Sequence, residues 1–391
     1  MEKQKGGELI GKGSYGCVFY PAIKCNRQRN IEGDMVSKIF FSQESAKEAR
    51  EEIKNDNVIR KIPGYAQWCH LWDKDCLPGD YTKIFKQDHS IQTCLDYHYM
   101  DSNEFNKHRR MLQGDYAGTP LYLYMESKFT KRVIHNKNEF TKQFLDLMRL
   151  MKPLFIGLVQ LNKHHISHND IKGDNIMIDD DGCKYIDFGI SCNYSDTNFF
   201  KTRSMSEFIS DRIYPSYPYE FIYLYATKDV LEEEKQDKLY HIYRDLHDRY
   251  SKIHETIFKR DKTQHYLLSL INRCLHEDIS KEKKDIVAKL DIYSLGSIVP
   301  NILCKLCKSN KDMQSVVSML HTAKLKSYTE LLKDMCDPDH YHRITPSEAL
   351  RRYEELENLY INQSPKQICK TPQRRVSPKN KRREQRRRVT P

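Results

Sequence analysis

The stretch His168-Asn169-Asp170-Ile171-Lys172-Gly173-Asp174-Asn175 (HNDIKGDN) sets a carboxylate, an ammonium and a carboxamide at offsets of zero, two and five residues. Asp170 is a candidate base that can accept and orient a hydroxyl proton. Lys172 can neutralise charge on a transferred anionic group, and Asn175 offers an amide oxygen to a hard cation such as Mg2+. Asp187-Phe188-Gly189 begins seventeen residues after Asp170, at the end of the second of two strand-like runs, NIMID and CKYIDF, around the turn Asp180-Asp181-Gly182. Asp187 is a second candidate ligand for the same ion. A loop aspartate alone is more often a turn or cap residue. Spacing and order set these apart, so the chain is read outward from them.

Upstream, Gly11-Lys12-Gly13-Ser14-Tyr15-Gly16-Cys17-Val18, preceded by Ile10, fits G-x-G-x-x-G-x-V. Glycines let backbone N–H groups approach phosphate oxygens, and Val18 can pack on a nucleotide base. A dinucleotide-binding unit uses the same glycines, but there the last one opens a helix. Here Gly16 opens the strand-like CVFYPAIKC. Lys38, in Val36-Ser37-Lys38-Ile39, lies on the next strand-like run, DMVSKIFF, where an ammonium can meet the α- and β-phosphates. The Glu-, Lys- and Ala-rich run from about Ser45 to Ile62, stopped by Pro63-Gly64, is expected to be a helix. Its Glu48, Glu51 and Glu52 are the candidates to pair with Lys38. Glu52 is preferred because Ile53 follows it and Ile59 lies two turns on, marking the core-facing side.

Residues 65–118 are polar and irregular, and LYLYME at 121–126 reads as a strand. EFTKQFLDLMRLMKPLFIGLVQLNKHH has the spacing of one long buried helix, despite Pro153. Residues 221–360 are mainly helical in pattern. The last segment, 363–391, is Pro-, Lys- and Arg-rich, lacks periodicity and is expected to be disordered. It also holds most of the charge: of a net +11, residues 365–391 contribute +10 from eleven Lys or Arg and one Glu. The body is near neutrality, which excludes a nucleic-acid binder along its whole length. KNKRREQRRR within the tail suits a nucleic-acid or nucleoprotein contact, or a nuclear localisation signal.

No run approaches the ~20 apolar residues of a membrane span. The start has no apolar stretch of signal-peptide type, so the expectation is an intracellular protein with no membrane contact. In a reducing compartment the twelve cysteines read as free thiols. Cys69, His70, Cys76, Cys94 and His98 fit no C-x2–4-C pair and read as thiols and histidines rather than a zinc site.

Three later fragments complete the order: Pro218-Tyr219-Glu220, Asp291-Ile292-Tyr293-Ser294-Leu295-Gly296, and Asp337-Pro338 with Arg343-Ile344-Thr345 and Glu348-Ala349-Leu350. With the motifs above, over about residues 5 to 360, they resemble the eukaryotic-type protein kinases. The resemblance implies an α+β bilobal fold: a small β-rich N-lobe (1–126, with an irregular insert at about 65–118), a larger helical C-lobe (127–362, with an insert at about 221–290) and the basic tail 363–391. It implies ATP in the cleft, Mg2+ as cofactor, and transfer of the γ-phosphoryl group to protein substrates. Asp170, Lys172, Lys38 and Glu52 would be catalytic, residues Ile10 to Val18 with Lys38 would bind nucleotide, and Asn175 and Asp187 would bind metal. Arg343 would pair with Glu220 as a buried structural ion pair. Lys172, two residues after Asp170, is of the serine/threonine type. The opening GGELIGKGSYGCVFYP, the cysteine-rich insert and the activation segment are most similar to kinases encoded by large DNA viruses. That implies a host cell's cytoplasm or nucleus, or association with a virion.

The chain departs from the family in two places. Asn169 stands where the family has an arginine that grips a phosphorylated activation-segment residue. Its loss removes a regulatory contact and no phosphoryl chemistry, so activity without that phosphorylation is expected. Between Glu220 and Asp291 lie 70 residues, far more than the family needs, which read as a charged, solvated helical appendage rather than a partner surface. Two other functions are weighed. A pseudokinase scaffold conflicts with intact Lys38, Asp170, Asn175 and Asp187. A small-molecule kinase of related fold conflicts with the Glu220–Arg343 pairing and the Asp291–Gly296 motif.

Overall fold

The computed structural model describes residues 7–13, 16–28, 31, 33–79, 89–210, 216–218, 220, 221, 224, 252–260, 269, 273 and 282–361. The expectations for Ser14, Tyr15, Tyr219, most of the second insert and the tail 363–391 lie outside these residues.

Strands β1 (Glu8–Lys12), β2 (Cys17–Tyr20) and β3 (Met35–Phe40) run antiparallel, and α1 (Gln43–Ile59) follows them. β4 (Lys74–Cys76) and β5 (Arg110–Asp115) complete a five-stranded sheet of order β1-β2-β3-β5-β4. The register places Val18, Lys38 and Leu112 side by side, and Cys17, Ile39 and Met111 side by side. Side chains alternate along a strand, so these two sets occupy opposite faces. On the first face Phe40 and Leu112 bury Ala49 of α1. On the second, Cys17, Phe19, Ile39 and Met111 form a separate core with Ile91, Cys94 and Leu95 of α2 (His89–Tyr97) and Phe105 of α3 (Ser102–His108).

The stretch that resists assignment in the sequence is therefore the outer wall of this lobe. Its described residues are divided among two short helices and two strands, so no single period dominates. Two disulfides tie it down, Cys17–Cys94 and Cys25–Cys76. The expectation of free thiols fails for these four cysteines. They are 77 and 51 residues apart, and only the folded chain brings such partners together. Among the described residues, Cys69, Cys183, Cys192, Cys307 and Cys336 carry free thiols.

The chain leaves the sheet through Gly118, whose φ of +99° and position 2.1 Å (as a built Cβ) from the Ile178 carbonyl oxygen admit no side chain. After β6 (Thr119–Pro120), LYLYME is not a strand but the start of helix α4 (Leu121–Lys128). Leu121 and Met125, one turn apart, are its buried residues, and Pro120 caps it from outside, where a missing N–H costs nothing. The long helix expected at 139–165 is two helices, α5 (Lys137–Leu150) and α6 (Lys152–Lys163), separated at Met151. Pro153 explains the break: in the first turn of α6 it is tolerated, whereas inside a continuous helix it would remove a bond and clash.

β7 (Ile166–Ser167), β8 (Ile176–Asp179), β9 (Gly182–Tyr185) and β10 (Cys192–Asn193) frame the loops of interest, and α7 (Thr197–Ser210) follows. The turn at 180–182 between β8 and β9 is where the sequence places it. Among the described residues the rest of the large lobe is mainly helical: α8 (Lys283–Ala288), α9 (Leu290–Leu306), α10 (Asn310–Leu320), α11 (Lys326–Met335) and α12 (Pro346–Leu356). α9 is buried on every side from Leu290 to Pro300, as a central helix must be if it is apolar all round. The result is a bilobal α+β protein, with the motif-bearing loops facing the sheet.

Candidate active site

α1 opens with a reciprocal cap. Ser45 N donates to Ser42 Oγ (3.0 Å), and Ser42 N donates to Ser45 Oγ (2.9 Å). That cap fixes the helix phase, so Ala46, Ala49, Glu52, Asp56 and Ile59 turn inward. Glu52 is thus the glutamate that meets Lys38: Nζ lies 2.8 Å from Oε2 and 3.1 Å from Oε1. Glu51 instead pairs with Lys54 on the exposed side. Lys38 Nζ is also 3.4 Å from Asp187 Oδ2, so one ammonium joins sheet, helix and loop.

Burial works against the Lys38 charge, but the carboxylates of Asp187 and Glu52 outweigh it and hold the ammonium above its ordinary pKa. Burial pushes Glu52 up to about 7, against the pull of Lys38. Two residues that the sequence reading missed hold this helix in place. Trp72 donates its indole N–H to Glu52 Oε1 (2.5 Å) and its backbone N–H to Asp56 Oδ2 (2.8 Å). Asn55 donates Nδ2 to the carbonyls of Phe188 (2.8 Å) and Ser191 (2.9 Å), linking α1 to the segment after Asp187. The spacing Glu52-Asn55 on one helix face was the available signal for Asn55. Nothing local marks Trp72.

The Asp170 loop hangs from Asp291 at the start of α9. This buried carboxylate accepts from the backbone N–H of His168 (2.7 Å) and Asn169 (3.1 Å) and from Ser167 Oγ (3.1 Å). Within the loop, Asp170 Oδ2 accepts from Asn175 Nδ2 (2.7 Å) and Lys172 Nζ (3.0 Å). The sequence-predicted Asp170, Lys172 and Asn175 therefore converge on one carboxylate. The His168 ring packs 4.6 Å from that of Phe188, which anchors the loop bearing Asp187. Asp187 has φ +63° and is about a third exposed, so its carboxylate opens to the cleft. Burial acts to raise its pKa, but the charges of Lys38, His168 and Lys172 overcome this and hold it below the ordinary value.

Asn175 spends its amide nitrogen on Asp170, leaving its oxygen as an acceptor, and Asp187 is an anionic carboxylate. Two hard oxygen donors of this kind suit Mg2+.

At the glycine-rich stretch, Gly13 N donates to Gly16 O (2.8 Å). A Cβ on Gly16 would lie 2.2 Å from the Ile39 carbonyl oxygen, so only glycine fits beneath β3. Gly11 and Gly13 meet nothing closer than 3.5 Å. Val18 shares the face of Lys38, whereas the Cys17 side chain points to the opposite face, leaving only its backbone for a ligand. Lys12 places its Nζ over the Tyr97 ring (4.9 Å), and Ile10 is half exposed. Far from the cleft, Arg343 meets Glu220 at 2.6 Å, both buried, with Arg343 Nε donating to Asp337 O (2.8 Å).

A family model described as "Protein kinase domain" matches residues 107–282, which include Asp170, Lys172, Asn175, Asp187 and Glu220. The chain is 21% identical over 218 residues to calcium-dependent protein kinase 4 of Plasmodium falciparum, covering 54% of this chain and 32% of that protein. It is 25% identical over 203 residues to MAP kinase kinase kinase mkh1 of Schizosaccharomyces pombe, covering 51% of this chain and 15% of that protein. Over 76 residues it is 36% identical to serine/threonine-protein kinase STE11 of Saccharomyces cerevisiae, which is 19% of this chain and 10% of that protein. The chain thus spans a third or less of the length of these curated relatives. The family match begins after the glycine-rich stretch and Lys38, and the observed Lys38–Glu52 and Lys38–Asp187 contacts join those residues to it. Matched segment and bilobal geometry together identify a protein kinase domain of the eukaryotic serine/threonine type in this chain.

Proposed function

We propose that this chain transfers the γ-phosphoryl group of ATP to serine or threonine hydroxyls of protein substrates. The observation that carries the reading is the continuity of Glu52, Lys38 and Asp187 across the cleft, beside an Asp170 already bonded to Lys172 and Asn175. Lys38, fixed by Glu52, presents its ammonium to the α- and β-phosphates. Asp170 accepts the hydrogen bond of the incoming hydroxyl, orients its oxygen in line, and takes its proton as the new P–O bond forms and the bond from the γ-phosphorus to the β–γ bridging oxygen breaks, releasing ADP. Lys172 stays beside Asp170 and offsets charge on the moving phosphoryl. Asn175 and Asp187 would hold Mg2+, which would supply positive charge to offset that of the phosphates.

The basic segment 365–391 supports a separate nucleic-acid or nucleoprotein contact, or nuclear import. The opening GGELIGKGSYGCVFYP and the cysteine-rich wall support kinship with kinases of large DNA viruses, and so action within a host cell. The test is incubation of the purified chain with labelled ATP, Mg2+ and a serine/threonine peptide library, beside Asp170→Asn. Labelled peptide from the native chain alone supports the reading. Tight binding of ATP with no labelling of any peptide sinks it in favour of a scaffold.

A further inference from the structure

Cys17 on β2 and Cys94 on α2 meet on the outer face of the sheet, away from the nucleotide cleft. His98 lies one helical turn beyond Cys94, its backbone N–H still bonded to the Cys94 carbonyl (3.2 Å). The two sulfurs and a ring nitrogen of His98 all lie within 4.8 Å of one another. Both cysteines are buried, and His98 packs its ring 4.3 Å from Phe41. Its Nε2 is buried and has no hydrogen-bond partner among the described residues. A buried ring nitrogen without a partner is costly, and this imidazole lies beside two sulfurs, which asks for an explanation.

We propose that Cys17, Cys94 and His98 are a zinc site in the reduced protein, and that the disulfide is the metal-free, oxidised form of the same site. A dithiol reductant delivers two electrons and two protons to the Cys17–Cys94 bond, giving two thiols and becoming a disulfide itself. Zn2+ then displaces the two thiol protons to solvent and takes a lone pair from His98, with water completing a tetrahedral set. One Zn2+ with two thiolates is neutral, the charge state that an apolar pocket tolerates best. Two sulfurs on zinc sit about 3.8 Å apart, given bonds of roughly 2.3 Å. Side-chain rotation supplies that separation across the Cα distance of 6.2 Å. Cys94 presents a ligand from the last turn of α2, His98 adds one from just past its end, and Cys17 adds one from the strand beneath. The site would pin the outer wall to the glycine-rich strand in either redox state.

The test uses the full chain, reduced with a dithiol, desalted without oxygen and titrated with Co2+ as a spectroscopic substitute for zinc. The native chain should bind one more Co2+ than Cys94→Ser, with a thiolate-to-cobalt charge-transfer band that Zn2+ abolishes. His98→Ala should weaken that Co2+ at least tenfold and shift the band. Cys304 and Cys307 are kept in all three proteins, so any metal they hold cancels in the comparison. If Cys94→Ser fails to fold, the His98→Ala comparison decides alone. Equal Co2+ binding by the native chain and His98→Ala overturns the proposal, as does a disulfide that the dithiol cannot reduce in the folded protein.

Discussion

Replacing Asn169 with alanine should cost the folded protein about 2–4 kcal/mol. Asn169 is buried, with φ +64°. Its Oδ1 accepts from Ser167 Oγ (2.8 Å), and its Nδ2 donates to the Ile190 carbonyl (3.1 Å) and approaches Cys192 Sγ (3.3 Å). Ser167 Oγ shares its one proton between Asn169 and Asp291, so the two bonds of Asn169 are together worth about 1–2 kcal/mol. Alanine in the left-handed region adds roughly 1–2 kcal/mol that asparagine largely avoids. The backbone bonds of residue 169, from its N–H to Asp291 and from Tyr217 Oη to its carbonyl, survive the substitution and limit the loss. Urea denaturation of the two proteins, compared at equal m-value, measures the difference. The same contacts bear on control, since they tie the segment after Asp187 to the Asp170 loop with neutral groups of the chain itself. The enzyme, fully dephosphorylated and checked by mass, should therefore keep its initial rate within tenfold, about 1.4 kcal/mol in the barrier. A destabilisation below about 1 kcal/mol, against the bond energies summed above, would refute the reasoning: Asn169 would then not be what fixes this segment.

Asp170→Asn and Asp187→Asn should abolish peptide phosphorylation while leaving circular dichroism unchanged, and the second should also lose Mg2+-dependent nucleotide affinity; near-native turnover in either removes that residue from the mechanism. Arg343→Met leaves Glu220 buried without its cation and should cost about 3–5 kcal/mol in urea denaturation, whereas a neutral result would mean that the carboxylate is protonated in the fold. Burial, with Glu52 beside it, pushes Asp56 up to about 8, so the folded protein keeps a proton that the unfolded chain releases near its ordinary value. Stability from this group falls as pH rises toward 8, and Asp56→Asn should gain on the native chain steadily between pH 6 and 8; parallel stability curves would contradict the assignment. Deleting residues 365–391 should spare peptide phosphorylation and reduce any binding to DNA or RNA, with the log–log salt slope falling by about 0.7–0.9 per lost phosphate contact; unchanged nucleic-acid affinity would place that contact in the body.

What could be read without the structure is what a short stretch of chain determines for itself. Asp170, Lys172 and Asn175 lie within six residues, so their convergence is a property of one loop, and Asp187 lies just past the hairpin that follows. The period of α1 narrowed the partner of Lys38 to one of three glutamates on a helix, because helix phase converts sequence spacing into direction. The folded chain alone decided the rest. LYLYME alternates like a strand yet packs as a helix, since burying Leu121 and Met125 on one side outweighs local pattern. Trp72 reaches Glu52 from twenty residues away, through a stretch with no regular period. Cys17 reads as part of a phosphate-binding loop, and its side chain lies on the other face of the sheet, joined to a cysteine 77 residues on. Such pairings depend on which surfaces the sheet register and helix packing bring together, and no spacing along the chain encodes a distance that exists only after the chain has closed on itself.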